Sequence, residues 1–307
     1  MAKIKLVVIC SATATGKTRL AIDLARAADG EIVNADSLQV YRYLDIGTAK
    51  PSPTEREAAR HHLIDVVDPD EEFNAALYAG QAGRVIEELA AAGRRIFVVG
   101  GTGLYIRALL HGILVTPPVD QKIRNYYKEL RDSRGREYLF ELLKKKDPLA
   151  ASQINPNDWV RVIRALEVLE QSGQSIVVLQ RGHAFADSTY DVCKIGLHLE
   201  RVELKRRITV RTGQMAQAGL VDEVRGILAR GYDENLKPLQ SVGYKQVVSF
   251  IRGRYGWEQT LDMINRATWQ YAKRQMTWFS ADDAIFWFGQ DEQEKIKNKI
   301  EAFYTDR

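Results

Sequence analysis

"KIKLVVICSATATGKTRL", residues 3–20, decides how the chain folds. Ile4–Cys10 is a short continuous apolar run, the pattern of a strand buried on both faces. "SATATGKT" occupies 11–18, and a helix is predicted from Lys17 to about Ala28. Strand, small-residue turn and helix N-terminus in that order aim several backbone N–H groups at one point, where the helix dipole favours an anion. The phosphate-loop pattern is G-x-x-x-x-G-K-[ST]. Gly16, Lys17 and Thr18 are in register, and Ser11 stands in place of the opening glycine. The candidate anion ligands are therefore Ser11, Ala12, Thr13, Ala14, Thr15 and Gly16 along the main chain, with the charge of Lys17. The Thr18 hydroxyl is placed for Mg²⁺. If the opening position needs positive φ, serine there costs about 1–2 kcal/mol and loosens the cradle.

Outward from the loop, "EIVNAD" (31–36) and "HHLIDVVD" (61–68) read as strands. A helix over 74–92 stopped by Gly93 comes next, then a strand in "RRIFVVGGTG" (94–103) and a helix from Leu104. Strands alternating with helices predict a parallel, doubly wound α/β sheet. After "TPPVD" (116–120) the pattern turns helical and basic to Gly173, with Asn155 as an expected N-cap and Pro156 in the first turn. "DVCKIGLHLE" (191–200) restores a strand. Two long helices (201–230, 257–280) and a last strand, "AIFWF" (284–288), follow. The organisation is one α/β core, 1–116 with 186–307, interrupted by a helical insertion at 117–185.

The totals exclude several classes. In 307 residues, 45% are hydrophobic and 27% charged, an ordinary globular balance. No apolar run approaches the roughly 18 residues that span a bilayer, and no membrane contact is expected. The N-terminal apolar run is shorter than a signal peptide requires. Cys10 and Cys193 lie in apolar strands, so a reducing cytoplasm is expected and no disulfide framework. Net charge is +4, but residues 121–146 carry nine Lys/Arg against four acids, a net of +5. A polyanionic partner suits that run, and a solvated helix pair is the plainer alternative.

Most such loops hold ATP or GTP, and a hydrolase would add a strand ending in a Mg²⁺-binding acid and a group that positions water. Asp36 ends a strand; nothing supplies the second. Read from position alone, Asp36 is equally a cap or a metal ligand. "GGTG" (100–103) is a second phosphate-compatible turn beside the first, where open α/β sheets collect ligands. His61 and His62 are adjacent, so their side chains point to opposite faces and are discounted as a metal pair. Trp269, Trp278 and Phe279 are assigned to the core of a long helix.

Five blocks occur in order: "DSLQVYRYLDIGTAKP" (36–51), "GGTGLYIRALLHG" (100–112), "RVIRALEV" (161–168), "SVGYKQ" (241–246) and "QYAKRQMTWF" (270–279). Together they resemble the tRNA dimethylallyltransferase family from about Ile4 to Phe279. The family opens its loop Gly-Pro where this chain has Ser11-Ala12, and it has glycine where Tyr43 stands and often a polar residue at Val160. No counterpart of the eukaryotic zinc-finger extension is present, and the bacterial form is expected.

The resemblance implies a P-loop NTPase-like, nucleoside-kinase-like core with an inserted all-helical domain that binds tRNA. It also implies a reaction: transfer of a dimethylallyl group from dimethylallyl diphosphate to N6 of the adenosine 3′-adjacent to the anticodon. The expected partners are dimethylallyl diphosphate and the tRNA anticodon stem-loop, with Mg²⁺ as cofactor and a monomeric enzyme. By position in the family, Asp36 is the general base, with Thr102 and Lys17 stabilising developing charge. Ser37, Leu38 and Gln39 contact the extruded adenosine. Arg124, Val160, Arg161, Val162, Ile163 and Arg164 match tRNA-binding positions, as do Ser241, Val242, Gly243, Tyr244 and Lys245. Arg207 and Arg211 lie four apart on one helix face; diphosphate contact and a solvated face are equally open. Three rivals are a small-molecule kinase, an adenylate isopentenyltransferase, and an RNA-binding module with a vestigial loop.

Overall fold

The computed structural model describes residues 3–112, 117–182 and 190–306. Two compact units make up the chain: Met1–His111 with Ser188–Arg307, and Gly112–Asp187. Of the domain boundaries expected above, residues 116, 185 and 186 lie outside the described residues.

In the first unit β1 (Ile4–Cys10) enters the loop, and α1 (Lys17–Ala27) starts where Gly16 turns to φ 92°. β2 (Gly30–Asn34), α2 (Pro53–Ala58), β3 (His61–His62), α3 (Ala75–Ala91), β4 (Arg95–Gly100) and α4 (Gly103–His111) follow. The second unit holds α5 (Gln121–Arg134), α6 (Arg136–Lys146), α7 (Pro148–Ala151), α8 (Trp159–Ser172) and α9 (Ile176–Gly182). The first unit then resumes with β5 (Tyr190–Leu197), α10 (Arg201–Gln217), α11 (Leu220–Ala229), α12 (Tyr244–Ile251), α13 (Trp257–Phe279), β6 (Ile285–Phe288) and α14 (Gln293–Thr305).

Six strands form one sheet in the order β3-β2-β4-β1-β5-β6, all parallel. This is the α/β core that the sequence predicts. β1 lies inside the sheet, with Cys10 level with Gly100 of β4 and Gly196 of β5. The loops leaving β1, β2 and β4 therefore meet at one carboxyl edge, where such sheets bind ligands. Val7, Ile9, Ile32 and Phe97 pack against Leu20 and Leu24 of α1 and Ile296 and Ile300 of α14. The second unit has its own apolar centre, which includes Tyr127, Leu139, Leu143, Val162 and Leu166.

Three local expectations are corrected. "HHLIDVVD" pairs with β2 only at His61–His62, because Leu63 and Asp65 turn to φ 61° and 57°. Asp65 is drawn instead to Lys50 at 2.6 Å and Arg56 at 2.9 Å. The helix expected over 201–230 is two, broken where Gly219 takes φ 97°. The cap of α8 is Asp158, accepting from the Arg161 N–H at 3.2 Å; Asn155 closes a turn just before it. Gly173 ends α8 with φ 69°, as expected.

The 36–51 block is locked in place from α11. Glu223 accepts the N–H groups of Asp45 (2.9 Å), Ile46 (2.6 Å) and Gly47 (3.1 Å) and the Tyr244 hydroxyl (2.7 Å). A Cβ at Gly47 would lie 2.6 Å from the Tyr244 ring, so the contact needs glycine. Lys50, its side chain 2% exposed, bridges Asp45 (2.7 Å) and Asp65 (2.6 Å). Tyr43, where the resembled family has glycine, takes φ 70° and carries the Arg230 guanidinium 4.4 Å above its ring. Removing the carboxylate in Glu223→Ala orphans these donors and should cost about 3 kcal/mol or more in urea unfolding. Amide exchange should rise first at Asp45–Gly47, and Glu223→Gln should lose less.

Candidate functional site

Ser11 does not occupy the positive-φ region; Ala14 does, at φ 64°. The expected strain at Ser11 is therefore absent. Its hydroxyl is fully buried and donates to the Leu197 carbonyl, tying the loop to the end of β5. Ala12 and Ala14 pack against Leu204 and Ile208 of α10 and Ala272 and Met276 of α13. The Ala12 carbonyl accepts from the Thr15 hydroxyl at 2.9 Å and from Lys17 Nζ at 3.3 Å. Small residues thus let two helices close onto the loop, while Gly16 supplies the sharp turn into α1.

Two cations converge here. Burial pushes the Lys17 ammonium down to about 8, with nearby Asp36 working against that fall. Burial also lowers the Arg211 guanidinium from its ordinary value. Arg211 donates to the Thr13 hydroxyl at 3.2 Å and the Thr48 carbonyl at 3.4 Å. Among the described residues, neither Lys17 nor Arg211 forms a salt bridge. Positive charge held in place without a salt bridge suits an anionic ligand. Arg207 is differently placed: Glu203 holds it at 2.7 Å, and it meets the loop through Gln290, whose amide donates to the Thr15 carbonyl.

Asp36 follows β2. Its Oδ1 accepts the Leu38 N–H at 2.9 Å and the Gln39 N–H at 3.4 Å. No hydrogen bond reaches Oδ2 among the described residues, so one oxygen orders the turn and the other is left uncommitted on a residue that lines two cavities. Thr102 accepts the Ser37 N–H at 3.0 Å. A cavity of about 50 Å³ is lined by Lys17, Thr18, Asp36, Gln39, Thr48 and Arg211, among others. A second, of about 80 Å³, is lined by Asp36, Leu38, Arg211, Val242, Gly243 and Tyr271, with apolar Ile208, Met215 and Ile264. Thr13, Asp36, Thr48 and Arg211 line both. A groove of about 490 Å³ adds Ala14, Gly16, Arg19, Arg206 and Arg207 beside Lys17 and Thr18.

Other expected residues lie elsewhere or point inward. The Gln39 amide is spent on the Thr48 (3.2 Å) and Ala49 (3.3 Å) carbonyls. Tyr244 is fully buried against Gly47, whereas Lys245 is exposed and the Ser241 hydroxyl donates to the Pro238 carbonyl. In the second unit, Glu167 is fully buried and takes Arg124 bidentately at 2.6 and 2.9 Å and Arg164 at 3.1 Å. Val162 and Ile163 are core residues. Arg161 and Val160 are the outward pair, 67% exposed in its side chain and 58% exposed respectively. The sequence reading missed Tyr271, Gln275 and Gln290. The first two share a helix face in "QYAKRQMTWF", a spacing that was visible. Trp278, assigned to the core, is 38% exposed, whereas Phe279 is buried.

The family model described as IPP transferase matches residues 39–282. A tRNA dimethylallyltransferase 2 from Syntrophus aciditrophicus (strain SB) is 48% identical over 294 residues, covering 96% of this chain and 94% of the relative. Its namesake from Geotalea uraniireducens (strain Rf4) is 49% identical, covering 93% and 92%. Among solved structures, the full-length tRNA isopentenylpyrophosphate transferase from Bacillus halodurans is 37% identical with TM-score 0.73, covering 98% of this chain and 97% of that one. A eukaryotic dimethylallyltransferase described as acting on tRNA is 26% identical with TM-score 0.81, covering 98% and 78%. The chain belongs to the IPP transferase family, with the tRNA dimethylallyltransferases as its relatives.

Lys17 carries its proton below about 8 and loses it above, so the free protein should lose affinity for inorganic pyrophosphate as pH rises through that value. Titration calorimetry on both sides of it, with Lys17→Met as control, checks this. A profile identical to the control's would remove the ammonium from the anion site.

Proposed function

We propose that this member of the IPP transferase family transfers a dimethylallyl group from dimethylallyl diphosphate to N6 of an adenosine in tRNA, the one 3′-adjacent to the anticodon. The observation that carries the reading is the wall shared by the two cavities, where Asp36 stands beside Arg211. An anion gripped at the loop and a base beside a second pocket are what this substitution needs.

The C–O bond to diphosphate breaks as the N6–carbon bond forms, and the N6 proton leaves to Asp36 Oδ2. Negative charge grows on the departing oxygens, and Lys17, Arg211 and the loop amides are set to receive it. The exocyclic amine is a weak nucleophile because its lone pair is delocalised into the ring, so proton removal belongs to the bond-forming step. The apolar side chains of the second pocket suit the flat base or the five-carbon unit. Extruding the base costs a few kcal/mol. Leu38, which lines the second cavity, and Ser37 beside it suit contact with that base.

Mg²⁺ fits the residues present. The Thr18 hydroxyl lines the first cavity and offers a hard oxygen donor, which leaves Asp36 to act as the base. Among the described residues no trio of His, Cys, Asp or Glu is grouped to hold a metal, so the diphosphate and water would supply most ligands. When bound, the ion would neutralise leaving-group charge. On the second unit, Arg161 and Lys122 are exposed and suit anticodon-stem phosphates. No described helix is long and apolar enough to cross a membrane, and we assign the reaction to the cytoplasm, where Cys10 and Cys193 stay reduced.

Labelled dimethylallyl diphosphate with Mg²⁺ and either unmodified tRNA or AMP should put label into tRNA. Label in AMP indicates the free-nucleotide enzyme, label in neither removes prenyl transfer, and ATP turnover without donor indicates a kinase. Asp36→Asn should lower turnover at least ~100-fold, the scale of a lost general base, with tRNA affinity within a few-fold. Full activity in that variant removes Asp36 from the chemistry.

A further inference from the structure

One face of α13 reaches both anion turns. Tyr271, Gln275 and Trp278 are spaced four and three residues apart, which places them on the same side of a helix. Gln275 is 6% exposed and engaged at both ends of its amide. Its Oε1 accepts the Thr13 N–H at 2.8 Å, and its Nε2 donates to the Gly101 carbonyl at 2.8 Å. Thr13 belongs to the phosphate loop and Gly101 to the turn after β4, so one side chain spans the two. On either side of it lie Tyr271, which lines the second cavity, and Trp278, whose Nε1 a Cβ at Gly103 would meet at 2.1 Å.

Each arm of the Gln275 amide leads to a group already placed in the reaction. Through Thr13, whose hydroxyl accepts from Arg211, it leads to the cation. Through Gly101 it leads to Thr102, which accepts the Ser37 N–H beside Asp36. We propose that Gln275 is a positioning residue for the transfer: it fixes the spacing between the loop that grips the leaving group and the turn that orders the base. The proposal rests on the reading of the loop as a diphosphate site.

An amide is required by the chemistry of its partners. Glutamate would accept from Thr13 but turn a second acceptor toward the Gly101 carbonyl, and leucine would leave both buried groups unpaired. Glycine at 101 is required too, because a Cβ there would lie 2.3 Å from Gln275 Nε2.

The test uses the full chain with Mg²⁺ and four readouts: pyrophosphate affinity, donor KM and kcat, tRNA affinity, and melting temperature. Gln275→Leu should weaken pyrophosphate binding and raise the donor KM by about tenfold or more, the scale of lost positioning, with tRNA affinity within about twofold. Gln275→Glu, equal in size, should fail likewise. Gly101→Ala should act in the same direction, and Gly101→Ala with Gln275→Ala should lose no more than the worse single variant, since removing the amide removes the clash. The proposal falls if Gln275→Leu or Gln275→Glu keeps wild-type pyrophosphate affinity and donor KM, or if the double variant is additive. It also falls if tRNA affinity drops in the same proportion, which marks a general structural role; a lowered melting temperature alone is expected from the two unpaired groups. A wild-type protein that fails to bind pyrophosphate overturns the underlying diphosphate reading instead.

Discussion

Lys17 and Arg211 are two enclosed positive charges that the described residues leave without a salt bridge, and the rest of the site is arranged around that deficit. Burial lowers both from their ordinary values, which is the signature of charge kept at a cost. Elsewhere the chain pairs its half-buried arginines with carboxylates. Arg124 and Arg164 share the fully buried Glu167, and Arg207 is held by Glu203. The nearest acid to the uncompensated pair is Asp36, and one of its oxygens is already committed to ordering Leu38 and Gln39. A ligand with several negative oxygens completes the balance; a second carboxylate would have abolished the site.

That arrangement needs a rigid mount, and the 36–51 block supplies it. Most of this block is scaffolding. Gln39 holds the carbonyls of Thr48 and Ala49, Lys50 is buried between two aspartates, and Glu223 gathers three successive amides. The Thr48 carbonyl so fixed accepts from Arg211, which links the mount to the cation. Asp36 at the head of the block is thereby set with one oxygen restrained and one open.

Periodicity and order made the core legible. β1, the loop and α1, the alternation that follows, and the return at β5 are all visible because buried parallel strands are continuous apolar runs. The limits were physical too. "HHLIDVVD" has strand composition, yet Asp65 answers to Lys50, a partner fifteen residues upstream that no local pattern reveals. Gly219 inside a helical run breaks it through φ 97°, and the run of residue types alone does not mark the break. At the site, a motif gives positions but not allegiance. Arg124, Arg161 and Arg164 look alike in sequence, and the buried Glu167 takes two of them and leaves Arg161 outward.

The loop's departure from its pattern shows the same thing at a single residue. An opening glycine is needed where the backbone must take positive φ, and here that demand falls on Ala14 and Gly16 instead. Freed from it, position 11 carries a hydroxyl that replaces conformational freedom with a buried bond to the Leu197 carbonyl. Ala12 and Ala14 are small enough for α10 and α13 to close over them, which brings Gln275 within reach of Thr13 and Arg211 within reach of its hydroxyl. Two helices as well as the loop therefore shape the site, and Ser11 and Ala12 fit that packing without strain.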